Sequence, residues 1–265
     1  TSQTEASGKP DGTSGTSGTT NPEKPEEKPG TEEGTPGLTY VLLSDGTYGV
    51  KKGAAELPSE VIIPAKYQGK PVTQILEGAF FYSKELSGIT IPSSVTSIGD
   101  HAFYGCSSLT SIIIPESVTN IGLVVFTGCD KLIFQEENGI SYLGNWAVAC
   151  EDSVTTVELR KNTKGIAGGA FAFCTDLTSI TIPSSVTNIG TGIFAGCSSL
   201  TKILVADGNA VLHVAGNCLI ETESKTLLVG CNNSVIPNDG SVIRIGDYAF
   251  YGCSEFTSIT IPSSV

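Results

Sequence analysis

Charged and aromatic residues are scarce in this chain, and positive charge is scarcer than negative charge. Of the 265 residues, 16% are charged and 7% are aromatic, and 15 Lys and Arg stand against 27 Asp and Glu, which gives a formal net charge of −12 at pH 7. Nucleic acids and anionic membranes attract clustered positive charge, so neither is an expected partner. No apolar run approaches the roughly 18 residues of a membrane-spanning helix, so we expect no direct membrane insertion by this segment.

The sequence also lacks the motifs of common catalytic, cofactor and metal sites. There are only two histidines, His101 and His213, and neither has a Ser and Asp partner at a motif spacing. GxSxG is absent, and the glycine-rich stretch near residues 8–18 has no GK[ST] for a phosphate loop. The acidic pairs at 136–137 and 151–152 belong to no repeated calcium-binding pattern. We therefore predict no catalytic residue, no cofactor and no metal site, and hence no enzyme.

What the sequence does contain is a repeat of 23 residues. ITIPSSVTSIGDHAFYGCSSLTS (89–111) returns as IIIPESVTNIGLVVFTGCDKLIF (112–134) and as ITIPSSVTNIGTGIFAGCSSLTK (180–202). A fixed period of this length is typical of a solenoid, whose units bury their apolar faces only against one another. A further copy begins as ITIPSSV (259–265) and stops before its inward-facing Ile and Phe, so we interpret the last coil as incomplete and expect the natural chain to continue.

Each plain coil has the pattern of two short strands followed by a tight turn. Within residues 89–92, the alternation of Ile and Thr predicts a strand with its isoleucines inward, which Pro92 ends because it has no N–H for the ladder. Residues 95–99 predict a second short strand, and residues 102–105 a short helical or 3-10 turn. Stacked copies are expected to form parallel ladders about 4.8 Å apart.

Cysteine recurs once per plain coil at the same place. The five residues at this position are Cys106, Cys129, Cys174, Cys197 and Cys253. No two of the eight cysteines in the chain lie closer than 13 residues, and no CxxC motif is present. This spacing favours a ladder of small buried thiols, with some disulfides or a metal site as the alternatives.

Three segments depart from the plain repeat and are predicted to be β-hairpins. They are Leu38–Lys52 with the turn Ser-Asp-Gly-Thr, Ile140–Cys150 turning at Gly144-Asn145, and Cys218–Cys231 turning near Glu223–Lys225. Such turn residues between β-prone runs are a hairpin signal, and non-repetitive segments are where we expect partner specificity. Trp146, the single tryptophan, lies in the second hairpin. We expect it to pack on the neighbouring coil, and we also keep it as a candidate ligand contact.

Residues 1–37 differ in composition from the rest of the chain. They are poor in apolar residues and rich in Gly, Ser, Thr, Pro, Glu and Lys. Such a segment buries too little apolar surface to offset the entropy of ordering. We predict a disordered linker over residues 1–37 and one solenoid domain over residues 38–265.

The motif SITIPSSVTSIGDHAFYGCSSLT resembles the BspA-like (Treponema-type) leucine-rich repeat family of bacterial surface proteins. The resemblance extends from Val61 to Val265, and the hairpin-bearing coils depart from its plain consensus. It implies a β-rich leucine-rich-repeat solenoid that is right-handed and curved, with the ITIP strands in one sheet. It also implies an extracellular or cell-surface location in bacteria and a role in adhesion or recognition.

With no catalytic motif present, the candidate site is a surface. One residue per coil is expected to point outward from the ITIP strands: Ile62, Thr90, Ile113, Glu158, Thr181, Leu204 and Thr260. Together with their neighbours on the strands, these residues form a strip rich in Thr and Ser, which also simply suit exposed strand positions. We hypothesise a non-enzymatic binding module for adhesion or recognition, whose partner is a protein or glycan on host or neighbouring cells. The alternative is a structural spacer or docking arm for a further domain beyond residue 265.

Overall fold

The computed structural model describes residues 34–265, which form a β-solenoid. Its coils stack in parallel with partner residues mostly 23 positions apart, as in the pairs Ser97–Asn120 and Ser179–Lys202. The leucine-rich-repeat solenoid predicted from the sequence is therefore confirmed. Most of the predicted linker, residues 1–33, lies outside the described residues.

The described residues form 21 short strands and no helix. The strands are β1 (Leu38–Leu42), β2 (Tyr48–Lys52), β3 (Glu60–Ile62), β4 (Lys66–Tyr67), β5 (Lys70–Ile75), β6 (Gly88–Thr90), β7 (Ser97–Ile98), β8 (Ser111–Ile112), β9 (Asn120–Ile121), β10 (Gln135–Glu137), β11 (Ile140–Leu143), β12 (Trp146–Cys150), β13 (Thr156–Glu158), β14 (Gly165–Ile166), β15 (Ser179–Ile182), β16 (Asn188–Ile189), β17 (Lys202–Val205), β18 (Leu212–Ala215), β19 (Cys218–Glu221), β20 (Thr226–Val229) and β21 (Arg244–Ile245).

The ITIP strands form two sheets, and the expectation that they form one sheet is wrong. One sheet has the order β3-β6-β8 and the other β13-β15-β17. The coil between them supplies β10, whose Gln135 lies 23 residues after Ile112 and so stands at the place of the next ITIP strand. β10 pairs antiparallel with β11 of the second hairpin instead, and this pairing interrupts the parallel ladder.

All three predicted hairpins are present. The antiparallel pairs are β1–β2, β11–β12 and β19–β20. The last strand of each hairpin pairs in parallel with the following coil, through β2–β5, β12–β14 and β20–β21. The hairpins are therefore built into the solenoid ladder and are not appended to it. An additional antiparallel strand, β10 or β18, lies beside the second and third hairpins and was not anticipated.

The recurring Ser of the PSSV motif has a structural reason. Ser94 Oγ donates to the Val72 carbonyl at 2.8 Å, and Ser185 Oγ donates to the Thr163 carbonyl at 2.7 Å. Each bond joins a side chain to the backbone of the preceding coil. A hydrogen bond of this kind contributes about 1 kcal/mol net to stability, and it recurs between several pairs of consecutive coils.

The core contains stacks of phenylalanines and, beside them, recurring cysteines. Phe80, Phe103 and Phe126 stack with centroids 5.4 and 5.9 Å apart and nearly parallel rings. Cys129 Sγ donates to the Phe103 carbonyl at 3.1 Å, and burial raises the pKa of Cys129 to about 12. The thiol is therefore protonated at neutral pH and acts as a donor. Of the five cysteines at the shared repeat position, four are buried as predicted, and Cys253 is half-buried.

The segment around each phenylalanine is a run of tight turns, so the expected short helix or 3-10 turn is wrong. Its amide groups alternate between two kinds of acceptor. Cys106 N donates within its own turn to Phe103 O, whereas Gly105 N donates to Thr127 O of the next coil at 2.8 Å. The amide groups of every second residue therefore form a separate ladder of hydrogen bonds, which joins the turns of successive coils.

We call this side of the solenoid the turn face. It consists of residues 78–82, 101–105, 124–128, 169–173, 192–196 and 248–252. The coils that carry the second and third hairpins contribute no such turn, so the ladder crosses them directly. Leu123 bridges to Gly168, and Gly196 N donates to Tyr251 O at 3.0 Å. The turn face is consequently six continuous layers.

Candidate functional site

The predicted strip on the ITIP strands divides into separate groups. Ile62 lies beside Thr90 in one sheet, and Glu158, Thr181 and Leu204 follow one another in the other. Ile113 is 67% exposed just beyond the end of β8, and Thr260 is exposed outside any strand. Of all seven residues, only Thr181 is half-buried, and the others are exposed. Their role as ligand contacts stays a prediction.

Trp146 does not belong to an exposed surface. Its side chain is 3% exposed, and a Cβ added at Gly165 of the adjoining strand would overlap the indole ring. The expectation that Trp146 packs on the neighbouring coil is confirmed. Its inclusion among the candidate ligand contacts is wrong, because the indole is covered by the next coil.

The turn face carries an aromatic cluster that the sequence analysis missed. Phe81 and Tyr104 stack at 5.3 Å with an angle of 19°, and Tyr82 stands edge-on to Phe81 at 4.7 Å and 90°. His101 completes the group at 6.0 Å from Tyr104. These four side chains, which we call the first cluster, line an open concavity of about 630 Å³ together with Glu77 and Gly78. Phe81 and Tyr82 are each about half exposed.

A second cluster lies further along the same face. It consists of Phe173, Tyr248 and Tyr251, which are between 53% and 63% exposed. The ring centroids of Phe173 and Tyr251 are 6.5 Å apart, and those of Tyr248 and Tyr251 are 6.0 Å apart. Exposed contiguous apolar groups are uncommon on monomeric proteins away from interaction sites.

Several of these aromatic residues occupy strained backbone positions. The residues two before and two after each core phenylalanine have positive φ in every turn, and glycine occupies most of those positions. The exceptions include Tyr82, Phe173 and Tyr248, with φ of 51°, 64° and 59°. A bulky residue in this left-handed region costs roughly 1–2 kcal/mol relative to relaxed backbone.

Each of these three rings lies against a glycine of a neighbouring layer. A Cβ added at Gly105 would lie 2.6 Å from Tyr82, and one added at Gly196 would lie 2.6 Å from Phe173. A Cβ at Gly192 would similarly be 3.5 Å from Tyr248. In each pair the aromatic ring therefore covers the backbone of a glycine, which has no side chain. About half of the surface of each aromatic residue stays exposed to solvent.

Replacing Tyr82 separates the backbone strain from the ring contact. Tyr82→Ala keeps the strain and loses the ring, whereas Tyr82→Gly removes both. We expect the glycine variant to be more stable than the alanine variant by about 1 kcal/mol, measured by urea unfolding. The same pair of substitutions at Phe81, which has no positive φ, is the control. There alanine should be the more stable variant, and the same order at both sites would contradict a strained Tyr82.

Negative charge borders the first cluster. Glu77 is exposed and has no ion pair with residues 34–265. Asp100 Oδ1 accepts a hydrogen bond from the Leu123 amide at 2.8 Å, so its carboxylate already joins two consecutive coils.

Among the described residues, no three His, Cys, Asp or Glu side chains converge on a metal position, and no helix is long and apolar enough to cross a bilayer.

The repeat has a match among protein families. The model of the BspA type leucine-rich repeat region matches residues 73–201 and 224–265 in six copies. The chain belongs to this family. The resemblance noted from the sequence is thereby confirmed, and both aromatic clusters lie inside the BspA type ranges. No curated protein matches the chain.

Solved structures similar to this BspA type chain include bacterial leucine-rich repeat proteins. The leucine-rich repeat protein of T. pallidum is 21% identical, with a TM-score of 0.40, over 84% of this chain and 89% of that one. A leucine-rich cell surface protein of Faecalibacterium prausnitzii is 25% identical, with a TM-score of 0.37, over 86% and 76%. The pneumococcal vaccine antigen PcpA is 19% identical, with a TM-score of 0.34, over 86% and 69%.

A signal for the clusters was present in the sequence. Aligning the coils on their phenylalanines places glycine two residues later at 105, 128, 196 and 252, but an aromatic residue at Tyr82 and Phe173. An aromatic residue that replaces a recurring glycine departs from the structural requirement of the repeat. Alternation along the strands indicates outward-facing residues only on the strands, so it gives no sign of the exposed residues in the turns.

Proposed function

We propose that this chain is a non-enzymatic binding module of the bacterial surface, secreted or surface-attached, that recognises proteins of host or neighbouring cells. The turn face is its contact surface. The observation that carries the proposal is the pair of exposed aromatic clusters, in which Tyr82, Phe173 and Tyr248 stand at backbone positions that favour glycine. Strain of this kind persists where a side chain has a use that outweighs it. The BspA type family resemblance supports the extracellular location.

Aromatic side chains suit protein recognition for physical reasons. They bury a large area while losing little rotamer freedom, and Tyr and Trp are enriched among the residues that dominate interface energies. The six layers of the turn face span about 24 Å at the usual strand spacing. In the third, fourth and fifth layers the position after phenylalanine holds small residues, Thr127, Ala172 and Ala195. A partner that contacts both clusters would meet no bulky side chain at that position in between.

The test is binding of the full chain to arrays of extracellular-matrix proteins and of glycans. The turn-face variant is Phe81→Ser with Tyr251→Ser, one substitution in each cluster. Its matched control is Ile113→Ser with Leu204→Ser, which removes two exposed apolar side chains from the ITIP strands. We expect saturable binding to a matrix protein that the turn-face variant weakens at least about tenfold and the control weakens less than about twofold.

Three outcomes would contradict the proposal. The first is that the folded chain binds no protein, which would favour the structural-spacer alternative. The second is that binding is restricted to glycans. The third is that the strand variant loses binding and the turn-face variant keeps it. Circular dichroism of each variant establishes that the fold is intact. Deletion of each hairpin tip in turn tests the separate prediction that the hairpins determine specificity.

A further inference from the structure

We infer that the concavity of the first cluster holds the cationic side chain of an arginine or lysine from the partner protein, with Glu77 as its counter-ion. The inference rests on the proposed function and names the chemistry of the partner segment that enters this site. It is carried by the ring arrangement, by the carboxylate beside it and by the charge of the chain.

The ring arrangement suits a flat cation. Phe81 and Tyr104 are stacked, and Tyr82 stands across them, at 90° to Phe81 and 72° to Tyr104. Rings of different orientation therefore line the same concavity. A guanidinium or ammonium group within about 6 Å of a ring centroid is attracted by the electron-rich face. Lys84 shows this at the rim, since its Nζ lies 6.0 Å from the Tyr82 centroid. Lys84 is not among the residues that line the concavity.

Glu77 supplies the charge that the rings lack. It lines the concavity and forms no ion pair with residues 34–265. A cation seated on the rings would be attracted by this carboxylate as well as by the ring faces.

The same chemistry already operates within the chain. The guanidinium carbon of Arg160 lies 4.0 Å from the centroid of the Tyr142 ring, and its Nε donates to Glu137 at 2.5 Å. There a tyrosine and a glutamate together hold an arginine. The first cluster offers more rings and a carboxylate, and because Lys84 does not line the concavity, a cation inside it comes from another molecule.

The charge of the chain favours such a partner. Residues 1–33 contain three of the 15 basic and seven of the 27 acidic residues, so residues 34–265 contain 12 and 20, a net charge of −8. The second cluster also has an acidic residue nearby in sequence, because Asp247 directly precedes Tyr248. A basic protein segment is therefore complementary to this face in both charge and ring chemistry.

The test uses acetyl-Gly-Arg-Gly-amide and the same peptide with citrulline in place of arginine, titrated into the full chain and followed by saturation-transfer NMR. Citrulline keeps the shape of arginine and removes its charge. We expect the arginine peptide to bind at least about fivefold more tightly than the citrulline peptide. Glu77→Gln should weaken the arginine peptide about fivefold and leave the citrulline peptide unchanged. Phe81→Ala should weaken the arginine peptide about threefold.

Glu85→Gln is the matched control, because it removes the same charge from an exposed position in the same coil without lining the concavity. It should change the affinity by less than about twofold. Equal binding of the two peptides, equal effects of the two Gln substitutions, or no binding of either peptide to the folded chain would overturn the inference. If a matrix protein binds but is unaffected by Glu77→Gln, the inference fails and the proposed function stands. If only the peptide binds, the proposed function fails and the cation site stands.

Discussion

Phe103→Ala is expected to lower the free energy of unfolding by about 4 kcal/mol, the middle of the range for a buried phenylalanine. The side chain is fully buried between Phe80 and Phe126, with ring centroids at 5.4 and 5.9 Å. Truncation removes apolar area from the core and leaves a cavity between two rings whose backbones are held by the turn-face ladder. The neighbouring layers therefore cannot close the gap without breaking hydrogen bonds. Urea unfolding followed by circular dichroism measures the loss.

Phe194→Ala is the matched control for this prediction. Phe194 is also buried, but it stacks on one ring, that of Phe171, at 5.3 Å. Because an aromatic pair adds about 1 kcal/mol beyond area burial, the Phe194 variant should lose about 1 kcal/mol less than the Phe103 variant. Equal losses would show that the ring stack contributes nothing beyond simple burial.

Gly190→Ala is expected to cost about 3 kcal/mol, a large effect for one added methyl group. A Cβ at this position would lie 2.7 Å from the Cα atom of Gly168 in the preceding plain coil. The neighbour is backbone, so no side chain can rotate away to make room. Gly190 N also donates to Ile166 O at 2.8 Å, and separating the coils to admit the methyl group would strain that bond.

Gly208→Ala is the control that adds the same methyl group in open space. Gly208 has a φ of 85° and nothing within 4 Å of an added Cβ. Its substitution should cost only the backbone strain, about 1 kcal/mol. If the Gly190 variant were no less stable than the Gly208 variant, close approach of the coil backbones would not be the reason for glycine at the end of the motif TNIG.

Much of the fold could be predicted because the same residue types recur at the same positions of each repeat. The inward Ile of 89–92 and the Phe and Cys of each turn recur at fixed spacing, and a stack is the arrangement that buries all of them together. The division of the ITIP strands into two sheets could not be predicted from this recurrence. Gln135 stands at the strand position, and only the pairing of β10 with β11 shows that the ladder is interrupted there.

The candidate site was harder to predict for a different reason. The outward positions on the strands follow from alternation alone, and they were correct in exposure for Ile62 and Ile113. The turn face depends on backbone conformation, since a left-handed residue directs its side chain differently from its neighbours. The contact between Tyr82 and Gly105 joins two coils, and no spacing rule within one coil contains it. The position of Glu77 beside these rings likewise follows from the stacking of turns.

The central claim is that partners bind to the turn face, and hydroxyl-radical footprinting of the full chain with and without a bound matrix protein tests it most directly. The account predicts that the partner protects Phe81, Tyr82 and Tyr104, and also Phe173, Tyr248 and Tyr251, from oxidation. Exposed residues of the ITIP strands, such as Ile113 and Leu204, should react equally in both states. Protection of the ITIP strands with unchanged oxidation of the turn-face rings would contradict the account.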